Sequence, residues 1–302
     1  MIPSIDSSPE SPSFSTPKHP FRPSKRLGQN FLRDHNIARR IVATGELTSE
    51  DSVLEPGPGY GRLTRLIVET GARVLAIEKD HRLAQDLREL FLDEPRVSIL
   101  EGDVLRMDLP EFNKIVGTPP YNISSKLILL IAKHKFELAS IVLQKEFGQR
   151  LLAKPGTADY GRLSVMSQRA LDIERIAQIP RSVFQPRPKV DSVLLRLRRR
   201  TIADELDPKL FEWLVRELFT QRKRVVRGAV RHTLLKKFGP RLTESIAHEI
   251  QIPDSRVFQL SLTEFESLTK DFEDALSNNG INTAQIVQEP QTFEKKRTPI
   301  KA

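Results

Sequence analysis

Between Ser52 and Tyr121 the chain repeats one phrase four times, a short apolar run that ends on a proline, glycine or acid: "SVLEPG", "RVLAIEKD", "VSILEGD" and "KIVGTPPY". The first two runs are each followed by an amphipathic stretch, "GRLTRLIVETG" and "HRLAQDLRELFLD". Short apolar strands alternating with amphipathic helices predict βαβ units and a mostly parallel sheet. "LASIVLQKEF" reads as a fifth strand. "RLSVMSQRALDIERIAQI" and "DSVLLRLRRR" supply further candidates, the latter with Val193, Leu195 and Leu197 at period two. The apolar runs predict about seven strands. Upstream, "DHNIARRIVATGEL" sets Ile37, Ile41 and Val42 at helical spacing behind Asp34, a natural N-cap.

From Asp207 the pattern becomes helical. Phe211, Leu214, Val215 and Leu218 mark an apolar face, and Lys223, Arg227 and Arg231, four apart, predict one basic stripe on a helix. No repeat of solenoid period is present. A chain of 302 residues suits one large and one smaller domain. A net charge of +9 with a pI near 9.8 favours a polyanionic partner, nucleic acid first. Without cysteine there is no disulfide, thiolate metal site or cysteine nucleophile. The six histidines are scattered, so no structural metal is expected. The longest purely apolar run, Leu127 to Ala132, is far short of the ~20 residues of a membrane span, so no membrane partner is expected. The N-terminal stretch lacks an apolar signal core and reads, over residues 1–24, as a flexible Ser/Pro-rich tail; residues 277–302 read as a second tail. A cytoplasmic location and a monomeric state are the expectations.

"LEPGPGYGRLT" puts Gly57, Gly59 and Gly61 between a strand and a helix, where glycine permits a sharp turn and close approach to a ligand. Glu78 ends the next strand, about twenty residues on, where a carboxylate can accept from both ribose hydroxyls of a nucleotide-like cofactor. Asp103 ends the third. Three strand ends then line one crevice at the carboxyl edge of the sheet. A nicotinamide dinucleotide would call for G-x-G-x-x-G, whereas the spacing here is G-P-G-Y-G. Glu55, just before the loop, would repel a phosphate and assist a cationic group. That combination favours S-adenosylmethionine, which has a sulfonium, an ammonium and a ribose but no phosphate.

The fourth strand end carries "TPPY". Methyl transfer to an exocyclic amine needs the base held edge-on with its lone pair aimed. Tyr121 can stack on an extruded base, while Pro119 and Pro120 fix φ and leave the Pro119 carbonyl as an acceptor beside the Thr118 side chain. Read alone, Pro-Pro ends a strand and Tyr121 packs inside; at the edge of a glycine-loop sheet the catalytic reading gains.

The motifs "LGQNFL", "LEPGPGYGRLT", "AIEKD", "EGDVL", "PPYNISS", "LQKEFGQRL", "DYGRLSVMSQ", "VFQPRPKVDSVLLRL" and "FTQRKRVVRGAV", in this order from about Arg26 to Leu276, resemble the KsgA-type ribosomal RNA adenine N6,N6-dimethyltransferases, relatives of the Erm resistance methyltransferases. "DYGRLSVMSQ" and the QRK segment set the resemblance on the KsgA side. It implies an α/β fold: a Rossmann-like, seven-stranded S-adenosylmethionine methyltransferase domain over residues 25–203, then a small helical RNA-binding domain over 204–276. It also implies dimethylation of two adjacent adenosines near the 3′ end of small-subunit rRNA in an immature ribosomal subunit. In such enzymes the positions matching Asn30, Leu32, Gly57, Gly59, Glu78 and Asp103 meet the cofactor, and the position matching Thr118 sits at the transfer site. The family normally has Asn where this chain has Thr118. An amide offers a donor and an acceptor, a hydroxyl a shorter reach, leaving open unchanged adenine specificity, a reduced rate or an altered role. The alternatives are a weak or inactive assembly factor of the same fold and an Erm-like large-subunit enzyme.

For RNA, Arg181, Arg187 and Lys189 flank "FQPRPKVDS", and Arg196, Arg198, Arg199 and Arg200 crowd the next strand's end. Such clusters can neutralise phosphates. With Arg222, Lys223, Arg227 and Arg231 they predict a two-sided groove that reads RNA by shape.

Overall fold

The alternation along each strand decides how the sheet is covered. The computed structural model describes residues 28–201 and 206–287. Its sheet is built from β2 (Ser52–Pro56), β3 (Arg73–Glu78), β4 (Val97–Glu101), β5 (Lys114–Gly117), β6 (Leu138–Gln144), β7 (Leu171–Ile179) and β9 (Ser192–Arg199); the short strands β1 (Phe31–Leu32) and β8 (Phe184–Gln185) pair separately. Val53, Val74, Val116, Val142 and Leu194 face one side, joined by Ile41 and Val42 of α1 (His35–Thr44) and Leu63, Leu66 and Ile67 of α2 (Arg62–Glu69). Their neighbours Leu54, Ile115, Ile141, Val193 and Leu195 face the other, under Leu127, Ile128 and Ile131 of α4 (Ser124–Ile131) and Phe147 and Leu151 of α5 (Lys145–Leu151). A sheet buried on both faces reads as continuous apolar runs, which is why these strands were legible.

The order is β4-β3-β2-β5-β6-β9-β7. β2, β3, β4, β5 and β6 run parallel, and β9 enters antiparallel to both β6 and β7. The seven strands agree with expectation; the antiparallel pair was not anticipated from the apolar runs. β2 pairs with β3 on one side and β5 on the other, so the strand order reverses there and opens a crevice at their carboxyl ends. Asp34 caps α1 as expected, accepting the Ile37 amide at 2.9 Å.

"RLSVMSQRALDIERIAQI" divides into α6 (Arg162–Ala170) and β7. Helix α3 (His81–Leu90) links β3 to β4. The C-terminal unit comprises α7 (Pro208–Phe219), α8 (Val226–Glu249), α9 (Leu262–Asn278) and α10 (Thr283–Val287). Asp207 caps α7 with Pro208 behind it, and Ser261 with Glu264 forms a capping box on α9. Gly239, at φ 74°, and Pro240 kink α8. Phe211, Leu214, Val215 and Leu218 are buried as predicted, in a core with Phe265 and Phe272 that also takes in Tyr160 and Val165 from before β7. The helical unit runs past Leu276: Ile286 of α10 is buried in the same core. The boundary at 203/204, the tail at 1–24 and residues 288–302 of the second tail lie outside the described residues.

Lys223 corrects the predicted stripe. It lies in the turn before α8, so only Arg227 and Arg231 share the helix, and Arg231 is paired with Glu244. The arginines of β9 also stand elsewhere than expected. Ser192 pairs with Gln144 at the carboxyl end of β6, so Arg198, opposite Leu138, reaches the far edge of the sheet. There Arg196 meets Glu46 and Glu174, Arg198 meets Glu46, Arg199 donates to the Ala132 and His134 carbonyls, and Arg200 meets Asp172. They tie the protein together on the side away from the crevice.

Candidate active site

At the β2/β5 crevice a cavity of about 310 Å³ is lined by residues from six segments of the chain. It gathers Asn30, Leu32, Gly57, Gly59, Glu78, Asp103, Thr118, Pro119, Pro120 and Tyr121, every cofactor and transfer residue expected from sequence. The lining also includes Gln29, Phe31, Tyr60, Lys79 and Phe184, which the motifs had given no role.

The glycines at the floor are required by shape. Gly57 and Gly59 have φ of 73° and 58°, and a Cβ on Gly59 would sit 2.8 Å from Phe31 Cδ1. Phe31 belongs to β1, which pairs with β8, and its ring lies 4.2 Å from that of Tyr60. The N-terminal segment is thereby pressed onto the glycine loop.

Glu78 is nearly buried at the end of β3, and burial pushes its carboxyl up, against the amides that bind it. Its Oε1 accepts the Lys79 and Asp80 amides at 2.8 and 2.9 Å, and Oε2 accepts the Gly59 amide at 3.3 Å. Three amides occupy three of the roughly four lone-pair directions of a carboxylate, so Glu78 keeps acceptor capacity toward the cavity. Asp103 accepts the Leu105 amide and pairs with Lys79 Nζ at 2.9 Å. Burial raises its carboxyl, but those hydrogen bonds and the Lys79 and Arg106 charges outweigh it and hold Asp103 below the ordinary range. An acidic pair over glycine backbone, walled by Ile77 and Val104, fits a nucleoside with a ribose diol and an amino group.

Glu55 does not do what its position suggested. It is 1% exposed, lies off the cavity wall and accepts the Thr64 hydroxyl at 2.6 Å. Burial pushes its carboxyl up to about 8, so it is mostly neutral at pH 7 and offers no charge to a cation.

Thr118 follows Gly117 at the end of β5 and is half-buried on the cavity wall. The Pro120 carbonyl is taken by the Ile123 amide in the 3-10 turn Tyr121–Ile123. The Tyr121 oxygen lies 2.6 Å from Ser192 Oγ. Sequence reasoning missed Ser192; it stands inside the quoted "VFQPRPKVDSVLLRL" motif, but nothing local ties it to a residue 71 positions earlier.

The residues expected to hold RNA are not on this cavity. Arg187 and Lys189 are exposed on the β8–β9 loop, and Lys189 lines a separate opening with Lys145 and Arg181. Lys223 and Arg227 are exposed on the helical unit. Arg222 is committed inward: it donates to the Thr157, Ala158 and Tyr160 carbonyls at 2.8 to 3.2 Å and stacks over Phe258 at 4.8 Å. Among the described residues no helix is long and apolar enough to cross a membrane.

A mostly parallel sheet with a glycine loop at its switch point, acids at the next two strand ends and a Pro-Pro-Tyr element at the fourth defines an S-adenosylmethionine-dependent methyltransferase. Residues 21–270 match the family model described as ribosomal RNA adenine dimethylase, and the chain belongs to that family. It is 42% identical over 220 residues to the ribosomal RNA small subunit methyltransferase A of Thermosynechococcus vestitus, covering 70% of this chain and 83% of that one. A dimethyladenosine transferase from Plasmodium falciparum superposes with a TM-score of 0.71 at 25% identity, over 83% of this chain and 98% of that one. The 23S rRNA methyltransferase ErmE gives 0.60 at 31% identity, over 80% and 99%. The relationship to S-adenosylmethionine enzymes agrees with the donor set: two carboxylates and backbone at the glycine loop.

Proposed function

We propose that this chain dimethylates N6 of two adjacent adenosines near the 3′ end of small-subunit rRNA, in an immature ribosomal subunit, as a cytoplasmic monomer. The observation that carries the reading is the convergence of Thr118–Tyr121 on the same cavity as Glu78 and Asp103. The small-subunit enzyme named above, similar along most of this chain, supports that substrate over the large-subunit one.

S-adenosylmethionine, when bound, supplies a methyl group made electrophilic by its sulfonium. Gly57 and Gly59 would let its chain lie against backbone, Glu78 would accept from its ribose and Asp103 from its adenine amine, with Asn30 and Leu32 closing over them. Tyr121 would stack on the extruded target base. The Thr118 hydroxyl and the Pro119 carbonyl would accept the two N6 protons, which turns the nitrogen lone pair toward the cofactor. No strong base is needed, because the nitrogen becomes acidic on gaining the methyl and its proton can pass to solvent. The chain's contribution is orientation and fixed dipoles. Arg187, Lys189, Lys223 and Arg227 would hold the RNA backbone, and the protein carbonyls that occupy Arg222 leave it out of that set.

Nucleoside mass spectrometry on unmethylated small subunits, incubated with the protein and S-adenosylmethionine, tests the reading. N6,N6-dimethyladenosine at the 3′ end supports it. Subunit binding without any methylated base would replace it by an assembly role in which Thr118 has abolished transfer.

A further inference from the structure

Tyr121 is anchored at its far end by a residue of β9. Ser192 has no exposed surface and begins β9, where its backbone pairs with Gln144 of β6 and Ile179 of β7. The residue before it is clamped too: the Asp191 carbonyl accepts the Lys145 amide at 2.9 Å, and its carboxylate accepts the Arg181 amide and the Gln178 side chain, each at 3.0 Å. Ser192 Oγ is therefore a post whose position is set by the sheet. Tyr121, in contrast, sits on a single 3-10 turn outside any strand. Without a bond at its oxygen, such a ring is free to change its tilt about χ1 and χ2.

Most buried serine hydroxyls find a partner. Here the partner is the phenolic oxygen of Tyr121, on the wall of the transfer cavity, and the 2.6 Å bond reaches the side chain assigned above to stack on the target. Stacking tolerates sliding of a base, but in-line transfer does not: misplacement by about 1 Å can cost a hundredfold in rate. Fixing the ring plane fixes where N6 stands relative to Thr118.

We propose that Ser192 is a positioning residue for methyl transfer, its hydroxyl holding the Tyr121 ring at the tilt in which an extruded adenine presents N6 to Thr118. The proposal rests on the function argued above and adds to it a residue outside the transfer motif. Ser192 acts only through Tyr121, so its loss and the loss of the phenolic oxygen are one event.

The full-length protein tests this with Ser192→Ala, Tyr121→Phe and the double variant. The chain has three tyrosines, so ring-13C tyrosine labelling gives few signals, and the one missing from Tyr121→Phe belongs to Tyr121. In Ser192→Ala that signal is expected to shift and to show faster ring averaging, with the signals of Tyr60 and Tyr160 unmoved. Each single variant is expected to lower kcat on unmethylated small subunits about tenfold, the scale of one lost hydrogen bond, with KM for S-adenosylmethionine unchanged. The double variant should be no slower than either single one. An unmoved Tyr121 signal in Ser192→Ala, a wild-type kcat in folded Ser192→Ala, or additive losses in the double variant would each overturn the proposal. Should Ser192→Ala fold poorly, Tyr121→Phe breaks the same bond from the cavity side, and an unchanged kcat there overturns it equally. A wild-type protein that transfers no methyl overturns the function itself, and the ring signal then decides the anchor alone.

Discussion

Gly57 and Pro120 are in contact: a Cβ placed on Gly57 would lie 3.1 Å from Pro120 Cδ, and one on Gly117 would lie 3.0 Å from Pro56 Cδ. The glycine loop after β2 and the Pro-Pro turn after β5 therefore interlock, proline on glycine in both directions. Gly57→Ala meets both this wall and a left-handed φ of 73°, a conformation that costs an L-residue about 1 kcal/mol. Relief must come from moving one loop against the other. The variant should bind S-adenosylhomocysteine at least tenfold more weakly by calorimetry and also lose kcat. A loss confined to affinity would show that the two loops move independently.

Glu55 makes stability depend on pH in a stated direction. Its folded carboxyl stands near 8 and its ordinary value is 4.5, so between these values the folded state holds more protons than the unfolded one. Stability is full below about 4.5 and falls as pH rises toward 8. A loss of only about 2 kcal/mol, less than the shift permits at 1.36 kcal/mol per unit, corresponds to a Tm change of about 5 °C. Glu55→Gln keeps an acceptor for Thr64 and removes the titration. Its Tm should therefore change less than the wild type's between pH 5 and pH 8, and parallel curves would show that Glu55 ionises normally.

The arginines separate into two kinds, and salt dependence distinguishes them. Replacing Lys223 or Arg227 by Ala should weaken RNA binding and reduce the salt slope by about 1 each, with little change in Tm. Arg222→Ala removes donors from three carbonyls and should lower stability by about 1–3 kcal/mol. Arg198→Ala, at the far edge of the sheet, should leave the salt slope as it is. Filter binding at several salt concentrations, with thermal melts, reads all four variants.

These cases show which parts of the molecule a sequence exposes. Parallel strands buried on both faces write themselves as apolar runs, and the acids at their ends follow at fixed register, so Glu78, Asp103 and Thr118 could be assembled into one site from spacing. Charge could not be assigned in the same way. Arg196 to Arg200 and Arg222 look like phosphate ligands in a basic chain, yet their partners, Glu46, Asp172 and the carbonyls of Thr157 and Ala158, are distant in sequence. The antiparallel entry of β9 decided which end of that strand reaches the crevice, and nothing in its period-two pattern carries direction. Glu55 and Ser192 were hidden for the same reason. Burial of Glu55 and the meeting of Ser192 with Tyr121 exist only once the sheet has formed.

Thr118 gives the sharpest test of the transfer site. The side chain ends in one hydroxyl and one methyl on the cavity wall, so Thr118→Val changes the hydroxyl alone while keeping the volume. If the hydroxyl accepts an N6 proton, its replacement leaves that proton without a partner in a confined site, costing about 1.5 kcal/mol, or roughly tenfold in kcat. Affinity for S-adenosylhomocysteine should hold within about twofold, since the glycine loop, Glu78 and Asp103 are untouched. Thr118→Asn restores an acceptor with longer reach and should methylate at least as fast as the wild type. Single-turnover incorporation of labelled methyl into unmethylated small subunits measures both variants. A Thr118→Val enzyme as fast as the wild type would remove the hydroxyl from the mechanism and leave the Pro119 carbonyl as the acceptor that aims the nitrogen.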